Sequence, residues 1–267
     1  MISLLEMTTD FGLFVMMTLD MQLVEKLWKQ HLAGEQVCMS LPPVFNVPYR
    51  HTSFFLCIVC CDEPSYMIES LLMEREIRKS WWDVKEGDVV MDVGAGYGVY
   101  TLAALALGAS LAIALEPGKT EFFDLFTNLL VNGWISRALP LNVLAVDNSR
   151  FDDYFWPASH SCVREQGSRE RRVCMTVDQV VKEAKIDRLD WMKVDVEGTE
   201  HQVLQGSVEA LEKFHPKLII ENHIGFFPNV TEEVQRLLKP LGYQEEQLVK
   251  PGVNENWSLW QVLDVPY

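Results

Sequence analysis

Three clusters of side chains in this 267-residue chain have the types and spacing to do chemistry. The first is Asp92, followed by glycines at 94, 96 and 98, with Ala95 inside the run and Thr101 just beyond it. Glycines at alternate positions let a backbone turn sharply and approach a ligand closely, because no Cβ intervenes. The second is Glu116-Pro117, where one carboxylate can accept from both hydroxyls of a sugar diol. The third comprises Asp195-Val196-Glu197-Gly198 and, further on, Glu221-Asn222-His223. Carboxylates and an imidazole suit proton transfer, and His223 alone among them has an ordinary pKa near neutrality. It is the leading candidate for a general base. Asp195 is the alternative base or a cofactor contact, and Glu197 stands beside it.

These clusters can meet only if particular elements carry them. Val89-Val90-Met91 is an apolar run suited to a strand buried on both faces, and Tyr100 to Leu107 reads as a buried helix rich in small residues. Leu111 to Leu115 makes a second strand that delivers Glu116. The next helix carries Phe122, Phe123, Phe126, Leu129 and Leu130, a stripe expected in the core, and Asn132-Gly133 ends it. A third strand, Leu141 to Val146, delivers Asp147 and Asn148 where an adenine-reading side chain would sit. Residues 150–172 read as an irregular polar loop. A short helix from Thr176 leads to a fourth strand, Leu189 to Val194, and then to a helix opened by a Thr199/Gln202 capping box. Leu204, Val208 and Leu211 supply that helix's buried face. Lys217 to Ile220 is a fifth strand, and a helix over Val230 to Leu238 and strands near 243–249 and 257–263 complete seven. The expectation is an α/β fold: a Rossmann-like, seven-stranded, mostly parallel sheet flanked by helices. All three clusters then lie beyond the C-terminal strand ends, where open α/β sheets hold ligands.

Spacing selects the ligand. A dinucleotide fingerprint has its third Gly or Ala three residues after the second, and here that position is Val99. The third glycine comes one residue early, at Gly98. The resulting D-x-G-x-G-x-G resembles the first motif of S-adenosylmethionine (SAM)-dependent methyltransferases. The segments DVGAGYGVYT, ALEP, TVDQVV, MKVDVEGTEHQVLQGS and IIENH, in this order, resemble the FkbM family of these enzymes over about residues 85–225. From their positions, Asp92, Gly94, Ala95, Gly96, Gly98, Thr101, Glu116, Pro117, Asp147, Asn148 and Asp195 are expected to hold SAM, with catalysis by His223, Asp195 and Glu197. The resemblance implies O-methylation of a hydroxyl on a sugar, glycolipid or natural product. N-methylation of a small molecule or protein, and a SAM-binding module without catalysis, are the alternatives.

Composition narrows the partners. A formal charge of −15 disfavours a nucleic acid, whose binding is driven by clustered Lys and Arg. Arg164 to Arg172, the only basic cluster, also contains Glu165 and Glu170 and reads as a solvated loop. No apolar stretch reaches the roughly 20 residues of a membrane span. The start lacks a basic leader, which points to a cytoplasmic protein with reduced thiols. Cys57-x-x-Cys60-Cys61 lies in an apolar, strand-like run, Phe54 to Cys61, rather than at zinc spacing. Asp195, Glu221 and Asn222 offer hard oxygen ligands for Mg²⁺ or Ca²⁺, yet no metal is expected. His201 reads as a surface residue. Residues 1–80, with helical spacing over Leu19 to Trp28 and a helix-like stretch from Ser65 to Trp82, are expected to cap the catalytic domain at 81–267 and shape the acceptor pocket. The oligomeric state stays open, with a homodimer compatible.

Overall fold

The computed structural model describes residues 4–9, 12–19, 44–57, 78, 80–148, 151–155, 169–249 and 255–262. Its centre is a seven-stranded sheet in the order β13-β14-β12-β11-β5-β6-β7. Here β5 is Val89–Val93, β6 Leu111–Leu115, β7 Ala138–Leu141, β11 Trp191–Val194, β12 Lys217–His223, β13 Tyr243–Val249 and β14 Glu255–Val262. The five strands from β12 to β7 run parallel, and β14 and β13 pair antiparallel at one edge. The mostly parallel, seven-stranded expectation holds.

Two apolar layers sandwich the sheet. Val90, Ala112, Ala114, Trp191 and Ile219 face helix α1 (Val99–Ala106) and helix α2 (Lys119–Val131). Met91, Ile113, Met192, Leu218 and Ile220 face helices α3 (Val177–Glu183), α4 (Glu200–Gln205), α5 (Val208–Phe214) and α6 (Val230–Leu238). Helix α1 is buried all round, as its run of small apolar residues demands. Because the chain leaves β5 for β6 on one side and β11 sits on the other, the strand order reverses between β5 and β11. That crevice is where such sheets bind ligands.

Several expectations need correction. The third sheet strand is β7, ending at Leu141, and not Leu141 to Val146. Asn142 breaks it, and Leu144–Ala145 forms a separate short strand, β8, in a three-stranded sheet with β9 (Phe151–Phe155) and β10 (Arg169–Met175). The stretch read as an irregular loop at 150–172 therefore contributes the paired strands β9 and β10. The stripe on α2 is only partly core: Phe123, Phe126 and Leu130 are 52%, 38% and 44% exposed and Phe122 is half-buried, while Leu129, joined by Leu125 from outside the stripe, fills the interior. The capping box at Thr199 does not form, because Thr199 lies outside the extended region such a cap needs and its hydroxyl donates to the Val196 carbonyl. Where one helix was expected after Gly198, Gly206 and Ser207 separate α4 from α5, with Leu204 and Leu211 buried and Val208 half-buried.

Towards the N-terminus, β1 (Leu4–Thr9), β2 (Gly12–Leu19), β3 (Val44–Tyr49) and β4 (Thr52–Cys57) form a four-stranded sheet. The expected helices over Leu19 to Trp28 and Ser65 to Trp82 lie mostly outside the described residues, as do Cys60 and Cys61. Hairpin β3–β4 docks on α2 through two asparagines one turn apart. Asn132 accepts from the Phe55 N–H and donates to the Phe55 carbonyl. Asn128, fully buried, accepts from the Cys57 N–H at 2.6 Å and donates to the Tyr97 carbonyl at 2.9 Å. Side chains thus replace a neighbouring strand. Among the described residues no helix is long and apolar enough to cross a membrane.

Asn128→Ala would leave the Cys57 N–H and the Tyr97 carbonyl without these partners, at about 1–3 kcal/mol for each buried group. Denaturant unfolding is expected to show a loss of about 2–4 kcal/mol for Asn128→Ala and under about 1 kcal/mol for Asn132→Ala, whose bonds to Phe55 are exposed. Equal effects of the two would contradict this docking.

Candidate active site

The glycine turn is held close by its neighbours. A Cβ on Gly94, whose φ is +76°, would stand 1.8 Å from the Asp195 carbonyl oxygen, so this position admits only glycine. A Cβ on Gly96 would meet nothing within 4 Å, so the turn is open on that side. Its amides are committed within the fold. Gly94 and Ala95 donate to the Leu115 carbonyl, Gly98 donates to the Ala95 carbonyl, and Gly96 donates to Glu116. What these residues offer a ligand is the unobstructed Cα face of Gly96 and not a row of N–H donors.

Asp92 is wholly buried. Its Oδ2 accepts from the Thr101 amide at 3.0 Å and the Thr101 hydroxyl at 2.6 Å, fixing the first turn of α1 on β5. Burial raises its pKa, while Lys193 and Thr101 oppose the rise. Lys193, which sequence reasoning passed over, stands directly across from Asp92 in the β5–β11 register. Its Nζ lies 3.6 Å from Asp92 Oδ1 and 2.9 Å from Asp195 Oδ2, and donates to the Gly94 carbonyl at 2.9 Å. It also sits 5.2 Å from the centre of the Tyr100 ring. A lysine inside the apolar strand Trp-Met-Lys-Val was the available signal, because lysine is almost never fully buried unless paired.

Glu116, at the end of β6, is 3% exposed. Its Oε2 accepts from Gly96 N–H at 2.7 Å and its Oε1 from Gly118 N–H at 2.6 Å. Burial pushes it up to about 8, against the pull of those amides and with help from the nearby Glu121 carboxylate. Pro117 is buried beside it, and Asn142 donates to the Glu116 carbonyl at 2.8 Å. Asp147 and Asn148 follow β8 in the small sheet, with the Asn148 amide donating to Asp147 Oδ1. They do not follow a strand of the main sheet.

Asp195, Glu197 and His223 come together beyond β11 and β12. His223 Nε2 lies 3.4 Å from Glu197 Oε2 and 3.8 Å from Asp195 Oδ1, and its Nδ1 lies 2.8 Å from Glu200 Oε1. Glu200, not singled out in the sequence, is 0% exposed and also takes the Gly198 N–H. Burial pulls the imidazole pKa down, but the bond to Glu200 and the charges of Asp195 and Glu197 outweigh it and lift His223 to about 9. At neutral pH it is an imidazolium, unable to accept a proton. The expected role of His223 as general base at neutral pH is therefore not supported by its surroundings. Burial acts to raise Asp195, but Lys193 and His223 prevail and keep it low, and Glu221 adds a side-chain hydrogen bond. Asn222 turns elsewhere, donating to Asn256 and Ser258. His201, expected at the surface, is half-buried with its ring 4.7 Å from Phe227.

A glycine turn, a strand-end acid and a cluster of ionisable groups at the switch point of this sheet define the Rossmann-like class. The methyltransferase FkbM domain matches residues 92–245, more than half of the chain, and the chain belongs to the FkbM methyltransferase family. It is 29% identical over 182 residues to the hexuronic acid methyltransferase AglP of Haloferax volcanii, across 66% of this chain and 72% of that protein. Its fold resembles the crystal structure of methyltransferase FkbM from Methylobacillus flagellatus KT, with a TM-score of 0.50 at 15% identity, over 73% of this chain. The chain spans about half of that protein, 54% of its length.

Lys193→Met would leave Asp92 and Asp195 without their shared cation, and removal of one partner from a buried pair costs about 3–5 kcal/mol. Chemical unfolding is expected to show a loss of that order, partly restored when Asp92→Asn is added. A loss below about 1 kcal/mol would show that the pairing holds little of the fold together.

Proposed function

We propose that this protein is a SAM-dependent O-methyltransferase acting on a hydroxyl of a sugar-like small molecule. The observation that carries the reading is the meeting of Asp195, Glu197 and His223 beyond the ends of β11 and β12, where the Asp195 backbone packs against the glycine turn at Gly94. The residues fit the cofactor. Gly96 leaves room for it, and Glu116 keeps lone pairs on both oxygens for ribose hydroxyls after accepting two amides. Asp92 then acts by fixing the turn through Thr101, rather than by direct contact. Bound there, SAM would supply a methyl group on a positively charged sulfur.

The chain's own residues orient the acceptor and receive its proton. His223 is charged at neutral pH, so the carboxylates of Asp195 and Glu197, which it faces at 3.8 and 3.4 Å, are the groups able to take that proton. The relation to a hexuronic acid methyltransferase supports a sugar acceptor. The carboxyl groups gathered at the site favour, as a second reading, a cationic amine acceptor and hence N-methylation. Incubation with SAM and a panel of hexoses, uronic acids and primary amines, read by mass spectrometry, separates the two. Methyl ethers are expected; methylated amines alone would overturn the O-methyl reading, and binding of NAD in place of SAM would overturn both.

Glu116 gives a sharper test of the cofactor site. With its pKa near 8 in the free protein, the carboxyl is mostly protonated at pH 7. If the ionised form receives the ribose hydroxyls, cofactor binding at pH 7 releases close to one proton. Affinity then rises roughly tenfold per pH unit towards pH 8 and levels off above it. Calorimetry in buffers of different ionisation enthalpy measures this release, and Glu116→Gln is expected to abolish it. Wild-type binding without proton release would remove Glu116 from the ribose.

A further inference from the structure

The spacing of Asp195, Glu197 and His223 is not that of a hydrogen-bonded group. The Nε2 separations of 3.4 and 3.8 Å exceed the roughly 2.7–3.2 Å of a good N–H···O bond. One ligand atom from each of the three side chains nevertheless lies within 4.8 Å of the other two. An ion bonded at about 2.0–2.2 Å keeps adjacent ligand atoms roughly 2.8–3.6 Å apart at right or tetrahedral angles. The pair at 3.4 Å meets that spacing, and the pair at 3.8 Å meets it after a small inward move of Asp195.

A second observation lies behind the ring. His223 Nδ1 is bonded to Glu200, a carboxylate with no exposed surface that is itself anchored by the Gly198 amide. Metal-binding histidines almost always give their second nitrogen to a carboxylate or carbonyl, which turns the other nitrogen towards the ion. Here the forward nitrogen is Nε2, and it faces two half-buried carboxylates; an ion bound there takes the place of the proton that Nε2 carries in the imidazolium. Charge points the same way. Among the described residues, Asp92, Asp195, Glu197, Glu200 and Glu221 bring five carboxyl groups to one region beside Lys193 and one imidazole. A divalent cation suits such a set of ligands. Asp195 can serve both neighbours, because Lys193 holds Oδ2 while Oδ1 faces His223.

We infer that Asp195, Glu197 and His223 form a divalent-metal site, with Glu200 as the carboxylate that aims the histidine. The purpose of the site rests on the methyl-transfer reading above, but its geometry does not. Imidazole beside two carboxylates suits Mn²⁺, Fe²⁺ or Zn²⁺ better than Mg²⁺ or Ca²⁺. The ion would polarise an acceptor hydroxyl so that its proton passes more readily to a carboxylate oxygen of Asp195 or Glu197 turned away from the ion. It would also draw in an anionic acceptor such as a uronate, which the bare carboxylates repel.

Mn²⁺ is the probe, with the whole purified chain stripped by chelator and free Mn²⁺ read by its paramagnetic resonance. One Mn²⁺ per chain is expected, with affinity falling at least tenfold in Asp195→Asn, His223→Ala and Glu197→Gln. Glu200→Gln touches no ion and should still weaken binding 10- to 100-fold. Glu197, 23% exposed, provides the variant least apt to disturb folding, and cooperative unfolding checks each variant. Mn²⁺ held equally by every variant would be an adventitious ion only and would overturn the site, as would the absence of binding. SAM titrated into the same stripped protein separates the two readings. SAM binding without Mn²⁺ binding overturns the metal site alone, and Mn²⁺ binding without SAM binding overturns the methyl-transfer reading alone.

Discussion

The structure depends on one buried cation. Lys193 projects from β11, the middle strand of the seven-stranded sheet, into the crevice where the chain order reverses. It faces Asp92 across the β5–β11 ladder, bonds the Gly94 carbonyl, pairs with Asp195 and sits by the Tyr100 ring. Without it, two carboxylates would be packed at the end of adjacent strands with nothing to separate them, an arrangement of several kcal/mol at the low effective dielectric of an interior. With it, Asp92 and Asp195 become fixed points. Asp92 can then hold Thr101 and the start of α1, and Asp195 can present its other oxygen outward. The glycine turn follows, since Gly94 must lie against the Asp195 carbonyl and only a residue without Cβ fits.

A second carboxylate behind the site does comparable service for the histidine. Glu200 takes the Gly198 amide that the expected Thr199 cap would have left to solvent, and with the same oxygen it orients His223. Helix capping and site orientation are thus one interaction. This explains why a fully buried acid opens α4 among Val203, Leu204 and the other apolar side chains of that layer. An acid so placed is costly unless it is bonded, and its partners here are a backbone amide and an imidazole.

Much of this was legible from sequence for a physical reason. Strands buried on both faces leave uninterrupted apolar runs, so β5, β6, β11 and β12 announce themselves, and the polar residue that ends each run marks a strand end. Asp92, Glu116, Asp195 and His223 were found in that way. What escaped depends on partners distant in sequence. Nothing local says that Lys193 meets Asp92, a hundred positions away, or that Glu200 meets His223. The break at Asn142 depends on the Glu116 carbonyl it caps, so Leu141 to Val146 read as one strand. The aromatic stripe on α2 misled because helical periodicity shows which residues share a face, not whether another element covers it.

The N-terminal hairpin belongs to the same chain of constraint. Asn128 is fully buried and joins three elements through one amide: it accepts from Cys57 in β4 and donates to Tyr97 in the glycine turn. Leu125, one turn earlier, packs where a Cβ on Gly98 would stand, 2.6 Å from such an atom. The turn is therefore held from both sides, by Lys193 and Asp195 through Gly94 and by α2 through Tyr97 and Gly98. Moving β4 would pull on Asn128, and Asn128 bonds the residue between Gly96 and Gly98. The open face of Gly96 owes its position to contacts from both sides of the turn, and the hairpin is mechanically part of the glycine turn through Asn128.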